Sequence, residues 1–402
     1  MKPKDVVVVG ASLAGLRTVE ALRREGYDGR LSLIGAEAHR PYDRPPLSKQ
    51  LLSGAWTQDR LYFHDGDLAA LDLELRLGVR ATGLDLHARE LALDDGTAVP
   101  FDRLVVATGA APRRLPGATD LDGVHALRSL DDALAVRDAF DQRPRVAVVG
   151  AGFIGAEVAA TARGRGLEVT VIEALALPLV HALGAEMGAA CARLHVDRGV
   201  DLRCGVTVTA FEGDTRLERL VLSDGSRVDA DLAIVAIGVT PETAWLASSG
   251  LALGDGVVCD ATGATSAPGV YAAGDVAEWY SPLFDQRMRV EHWTNAAEHG
   301  AAVARSILAG PAEAQPLVSV PFFWSDQYET KIQFAGMSLH ADEVRVVHGS
   351  PEEERFVAVY GHRGRLVGAL AFNAPRLLMQ YRRLIAQSAP MDEALAHAAS
   401  MN

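Results

Sequence analysis

At 402 residues the chain is too long for one hydrophobic core and predicts two or three domains, with 49% hydrophobic and 23% charged residues typical of a globular protein. A net charge of −13 excludes nucleic acid as a general partner, and no apolar run reaches the roughly 18 residues of a membrane span. Three cysteines without a CxxC exclude a redox dithiol or zinc knuckle and suit a reducing cytoplasm, and the opening residues enter a strand without a signal-peptide pattern, so no membrane or metal partner is expected.

Residues 6–9, VVVV, read as a buried parallel strand. They lead into Gly10-Ala11-Ser12-Leu13-Ala14-Gly15, a helix to about Glu25, a strand over 31–34, and then Glu37. Strand, glycine loop, helix, strand and acid make a dinucleotide-binding unit. The first glycine allows the tight turn, the second lets backbone approach a pyrophosphate, and the third lets helix pack on strand. Ser12 stands where the middle glycine is usual and is itself small. Residues 41–50, PYDRPPLSKQ, carry three prolines within six residues, which remove donors and favour extended neighbours. No regular structure is expected there, and the stiff loop presents Arg44 and Lys49 at fixed places. Most lysines are solvated surface residues. Lys49 stands out because only four of the 39 basic residues are lysines.

Residues 73–106 alternate apolar and polar and predict a small antiparallel meander, whose last run, 104–109 (LVVATG), returns to a parallel sheet. Pro112, Pro116 and Gly117 mark a crossover, and 128–140 read as helix. Residues 145–173, RVAVVGAGFIGAEVAATARGRGLEVTVIE, then give a second, complete dinucleotide unit, with Gly150, Gly152 and Gly155 in the loop and Glu173 at the strand end. A pyrophosphate is favoured at the helix N-terminus by free N–H groups and the dipole. A helix over 185–198 and another meander follow. The strand 232–237 ends in Gly238 and repeats the pattern of 104–112. Residues 269–275, GVYAAGD, read as a strand ending in Gly274-Asp275, and 289–300 open a helix reaching about 308. Beyond a linker at 310–315 the composition changes at Pro321, predicting strands and then helices from about Arg376.

The segments GASLAG, PYDRPPLSK, VVATGAAPR, GAGFIGAE, YAAGD, RVEHWTNA and PFFWSDQ fall in an order and spacing that resemble the FAD- and NADH-dependent ferredoxin reductases of oxygenase systems. That family includes putidaredoxin reductase and the ferredoxin reductases of aromatic-ring dioxygenases, and the resemblance spans essentially the whole chain. It implies an α/β, glutathione-reductase-like fold with two Rossmann-type dinucleotide-binding domains plus a C-terminal α+β domain. The implied domains are an FAD-binding domain of residues 1–113 and 239–317, an NAD-binding domain of 114–238, and an interface domain of 318–402.

Carried over by position, the resemblance implies that Gly10, Ser12, Leu13, Ala14 and Gly15 cradle the FAD pyrophosphate and that Glu37 takes the adenosine ribose. Arg44, Pro45, Ala81, Thr108, Gly109, Arg128, Gly274 and Asp275 are further implied FAD contacts. Lys49 is implied beside the reactive edge of the flavin, where an ammonium stabilises negative charge. Trp293 and Trp324 are implied to line the flavin ring and keep water from it. For NADH the implied residues are Gly150, Gly152, Phe153, Ile154, Gly155, Glu157, Glu173 and Gly238. Glu173 at the strand end repels a 2′-phosphate and favours NADH over NADPH. Glu157 is implied to meet the nicotinamide, so Lys49 and Glu157 are expected to approach each other.

The implied activity passes electrons from NADH through FAD, one at a time, to a [2Fe–2S] ferredoxin that serves a cytochrome P450 or Rieske oxygenase. Arg305, Lys331, Arg382 and Arg383 are candidates to steer that acidic partner. A cytoplasmic monomer or weak homodimer is expected. Disulfide and peroxide reductases of the same scaffold need a cysteine in the loop PPLSKQLL, which has none. A rubredoxin reductase or another NADH:acceptor flavoprotein oxidoreductase stays open as an alternative. A non-enzymatic, apoptosis-inducing-factor-like FAD protein is disfavoured by the lack of basic patches and long insertions.

Overall fold

Runs of β-branched residues form two parallel sheets, one in each of the units into which the chain divides. The computed structural model describes residues 3–63, 68–118 and 121–401. One unit comprises Met1–Asp43, Leu61–Ala111 and Thr240–Phe322; the other comprises Arg44–Arg60, Pro112–Val239 and Phe323–Asn402. Among the described residues no helix is long and apolar enough to cross a membrane.

In the first unit the parallel sheet runs Val270–Ala272, Arg103–Val106, Asp5–Val9, Arg30–Gly35, Glu74–Leu77. Val6 to Val9 are all buried, each contributing about 1.5–3 kcal/mol of burial. The register pairs Val9 with Ile34 and with Val106, and Val106 with Ala272. The carboxyl ends of four strands therefore share one sheet edge. Helix Leu13–Arg24 packs on helix Trp293–Ala309 through small residues. A Cβ at Gly300 would lie 2.3 Å from the Ala14 carbonyl oxygen, so only glycine permits this approach.

Two expectations for this unit change. Leu75 and Leu77 do not belong to a meander: Glu74–Leu77 pairs in parallel with Arg30–Gly35. An edge strand of a parallel sheet shows the same alternation as a meander strand, and pattern alone does not choose between them. The meander is instead Ala81–Asp85, Glu90–Leu93 and Ala98–Pro100. The late helix begins at Trp293 rather than near Arg289, because the preceding residues 286–288 form a strand paired with Ala277–Ser281.

In the second unit the parallel sheet runs Asp201–Cys204, Val169–Glu173, Val146–Val149, Leu232–Val235, Val124–Ala126. Helix Phe153–Gly164 packs on it through Val158, Ala159 and Ala162, and Leu52 joins the same core. Helix Leu130–Asp141 opens with a capping box, in which Ser129 accepts from the Asp132 N–H and the Asp132 carboxylate accepts from the Ser129 N–H. The loop 41–50 is not wholly irregular: Pro45–Ser48 make one 3-10 turn. Proline suits its first positions because no N–H is needed there. The C-terminal part is a five-stranded sheet in the order Phe322–Gln327, Thr330–Gly336, Arg365–Phe372, Arg355–His362, Glu343–Ser350, followed by helices Pro375–Ala386 and Met391–Met401.

Candidate functional site

In the first unit the implied flavin residues gather at the sheet edge where four strands end. Gly10 adopts φ +115°, and a Cβ there would lie 2.0 Å from the Ala107 carbonyl oxygen. A Cβ at Gly15 would lie 1.9 Å from the Gly10 carbonyl oxygen, so the helix start sits directly on the loop. Ser12 is the N-cap of that helix, whose first turn (Leu13, Ala14, Gly15) holds no acid. Its N–H groups and dipole suit an anion. From the next strand, Glu37 lies half-buried and accepts from the Tyr42 hydroxyl at 2.6 Å. Thr108 follows the strand Arg103–Val106 and donates to the Glu242 carbonyl at 3.0 Å, with Gly109 at φ +71°. Gly274 and Asp275 follow Val270–Ala272; a Cβ on Gly274 would lie 2.8 Å from the Ala14 Cβ. Ala81 is buried at the head of the meander. Trp293 is the first residue of its helix, and its indole Nε1 donates to Asp43 at 2.7 Å.

The second unit repeats the arrangement. Gly150 adopts φ +100°, with a would-be Cβ 2.4 Å from the Ala236 carbonyl oxygen, and a Cβ at Gly155 would lie 2.0 Å from the Gly150 carbonyl oxygen. Gly152, the N-cap, is different: a Cβ there would meet nothing within 4 Å. Its need for glycine is therefore not internal packing, and the open space over a helix N-terminus without acids fits a pyrophosphate. Ile154, on the first turn, is an exposed large apolar side chain. Glu173 is buried, and its two oxygens accept from the Ala151 N–H at 2.6 Å and the Leu175 N–H at 2.8 Å. Gly238 adopts φ +94°, and its carbonyl accepts from the Arg113 N–H. Arg128 accepts on its backbone oxygen from the Arg44 guanidinium at 2.7 Å.

Glu157 is a buried carboxylate, only 3% exposed, bonded on both oxygens. It lies one helical turn after Phe153. Its Oε2 accepts from Lys49 Nζ at 2.9 Å and Ser48 Oγ at 2.5 Å. Its Oε1 accepts from Ser325 Oγ at 2.8 Å and the Asp326 N–H at 3.3 Å. Lys49, with 11% of its side chain exposed, is a largely covered partner rather than a surface lysine. A buried ion pair persists only where further hydrogen bonds satisfy the charges, and here three neutral donors do so. The loop is held as well by Thr161 Oγ1 donating to the Ser48 carbonyl.

Sequence reasoning named Lys49 and Glu157 but missed Ser48, Ser325 and Asp326. The signal lay in the period: Phe323 and Ser325 share one strand face, Phe153 and Glu157 one helix face, and the Phe153 and Phe323 rings meet at 4.3 Å. Trp324, half-buried, alternates to the other face. Among the candidate basic residues, Arg305, Lys331 and Arg383 are exposed and Arg382 is half-buried; Lys331 pairs loosely with Asp326 at 3.6 Å. Cys191, Cys204 and Cys259 are free thiols, and burial pushes those of Cys191 and Cys259 up to about 12, so both are inert.

Residues 4–300 match the pyridine nucleotide-disulphide oxidoreductase family, and residues 322–402 match the reductase C-terminal family. The chain is 38% identical over 395 residues to the anthranilate 1,2-dioxygenase system ferredoxin–NAD(+) reductase component of Burkholderia cepacia, covering 98% of this chain and 96% of that protein. It is 34% identical over 396 residues to putidaredoxin reductase of Pseudomonas putida, covering 96% and 93%. The crystal structure of the covalent putidaredoxin reductase–putidaredoxin complex superposes with a TM-score of 0.92 at 34% identity, covering 97% of this chain and 94% of that one.

Proposed function

The chain belongs to the pyridine nucleotide-disulphide oxidoreductase family, and from that premise we propose that it is an FAD-dependent NADH:ferredoxin oxidoreductase, passing electrons singly to a [2Fe–2S] ferredoxin of an oxygenase system. The observation that carries this reading is the union of two glycine-loop units with a C-terminal module of the reductase family, matched along nearly the full length of ferredoxin reductases. FAD, when bound, accepts the two electrons of a hydride and releases them one at a time.

The chain's own residues supply binding, orientation and charge. The N–H groups of the N-cap Ser12 and of the first turn, Leu13 to Gly15, hold the FAD pyrophosphate, Glu37 its ribose, and Asp275 the ribityl hydroxyls. Gly10, Arg44, Pro45, Ala81, Thr108, Gly109, Arg128 and Gly274 complete that contact. The Gly150–Gly155 loop holds the NADH pyrophosphate over the open face of Gly152. Glu173, pinned by two backbone N–H groups, accepts the adenosine ribose hydroxyls and turns away a 2′-phosphate. The Lys49 ammonium, fixed by Glu157, stabilises developing negative charge where the hydride arrives. Trp293, fixed by Asp43, and Trp324 keep water from the flavin. Residues 1–113 and 239–317 act as the FAD domain, 114–238 as the NAD domain and 318–402 as the interface domain. Arg305, Lys331, Arg382 and Arg383 steer the acidic ferredoxin. The three free thiols suit a cytoplasmic location.

Cytochrome c reduction by NADH tests the reading. Added [2Fe–2S] ferredoxin is expected to accelerate it in proportion to ferredoxin concentration. An unaltered rate across a panel of such ferredoxins would overturn the assignment.

A further inference from the structure

Strand Phe322–Gln327 runs along the start of helix Phe153–Gly164 with matched spacing. Two residues of strand advance about 6.6 Å and four residues of helix about 6 Å. Phe323 thus meets Phe153 and Ser325 meets Glu157. The next residue on that strand face, Gln327, carries the contact onward. Its Nε2 donates to Ser325 Oγ at 3.3 Å, and its Oε1 lies 3.2 Å from His195 Nε2. His195 Nδ1 lies 3.0 Å from the Tyr328 hydroxyl. Glu157, Ser325, Gln327 and His195 are all buried.

The polarity of this series has one solution. A carboxylate only accepts, so the Ser325 hydroxyl donates to it. Ser325 then offers a lone pair to the Gln327 amide nitrogen, which leaves the Gln327 oxygen as an acceptor. His195 must carry its proton on Nε2, and its bare Nδ1 accepts from the Tyr328 hydroxyl. Burial pushes the imidazole down to about 4, with the nearby Arg198 charge also opposing protonation, so it is neutral as the series requires. Burial pushes the Tyr328 hydroxyl up to about 12, so it keeps its proton. Donors aligned in one direction polarise one another and strengthen the last bond in the line.

We propose that Tyr328, His195, Gln327 and Ser325 form a one-way hydrogen-bond relay that positions the Glu157 carboxylate and thereby sets the affinity of the nicotinamide site. The proposal rests on Glu157 as the nicotinamide contact. The relay and the Asp326 N–H hold one oxygen of the carboxylate, and Lys49 and Ser48 hold the other. Without the Ser325 hydroxyl, the oxygen facing the strand keeps only the longer bond from Asp326, so its position is fixed less closely than that of the oxygen held by Lys49 and Ser48.

The test uses the holoenzyme with 15N-labelled histidine, the His195 signal being assigned by its loss in His195→Asn. A neutral ring protonated on Nε2, with a signal that shifts in Gln327→Met, is expected. A proton on Nδ1, or a signal indifferent to Gln327→Met, overturns the relay. In parallel, NAD+ binding is measured by calorimetry. Ser325→Ala is expected to weaken it about three- to tenfold, less than the loss of a direct hydrogen bond to a charged group because Ser325 acts through Glu157, and Ser325→Thr to restore it. Wild-type affinity in Ser325→Ala, beside weakened binding in Glu157→Gln, also overturns the proposal. If Glu157→Gln binds NAD+ normally, the assignment of Glu157 fails instead, and the His195 signal alone then decides whether the relay exists.

Discussion

Replacing Glu173 by Ala isolates the choice between NADH and NADPH. The carboxylate is 8% exposed and held from both sides by the N–H groups of Ala151 and Leu175, so it cannot swing away from an incoming 2′-phosphate. Two unit charges 4 Å apart interact by about 1 kcal/mol in water and about 4 kcal/mol at an effective dielectric of 20. A phosphate of nearly two charges beside this site gives roughly 3–4 kcal/mol of repulsion, a preference for NADH of about 10²–10³. Glu173→Ala removes the repulsion and also the charge-assisted bonds to the ribose hydroxyls, worth about 1.5–3 kcal/mol, so the KM for NADH rises about ten- to hundredfold. The two backbone N–H groups released from Glu173 become donors for a phosphate, so NADPH improves. Steady-state ferricyanide reduction with each nucleotide measures the ratio of kcat/KM values, expected to fall from several hundred to below about ten. A ratio that stays at the wild-type value refutes the role given to Glu173.

Lys49→Met removes the only cation bonded to Glu157 among the described residues and is expected to slow flavin reduction by NADH about 10²- to 10³-fold in stopped-flow absorbance; a wild-type rate would rule out an electrostatic role for this lysine. Gly300→Ala drives a methyl group into the Ala14 carbonyl rather than into a flexible side chain, and is expected to cost about 2–3 kcal/mol and lower the thermal midpoint of the flavoprotein. An unchanged midpoint would mean that helices Leu13–Arg24 and Trp293–Ala309 do not approach so closely. Burial pushes His195 and His299 from 6.5 down to about 4. The unfolded chain therefore binds more protons than the folded one between those values, and stability is complete above about pH 6.5 and lost as pH falls toward 4, by about 2–3 kcal/mol per histidine. Urea unfolding from pH 7 to 4 measures the slope, which His299→Leu is expected to make shallower; an identical slope would contradict the depressed value for His299.

The features legible in the chain were those governed by neighbouring residues. Gly10 and Gly150 need positive φ and leave no room for a Cβ beside the backbone at Ala107 and Ala236, so the glycine loops announce themselves. The strand-end position of Glu173 follows from the same local period. The place of Leu75 and Leu77 is not legible in the chain, because alternation records exposure but not the partner strand. The surroundings of Glu157 were beyond local reading altogether. Ser48 and Ser325 stand 109 and 168 positions away from it, and no propensity or spacing rule links them. Short-range sterics decide where the chain turns, whereas the donors that satisfy one buried carboxylate are decided only when distant segments close around it, since an unpaired charge there costs several kcal/mol.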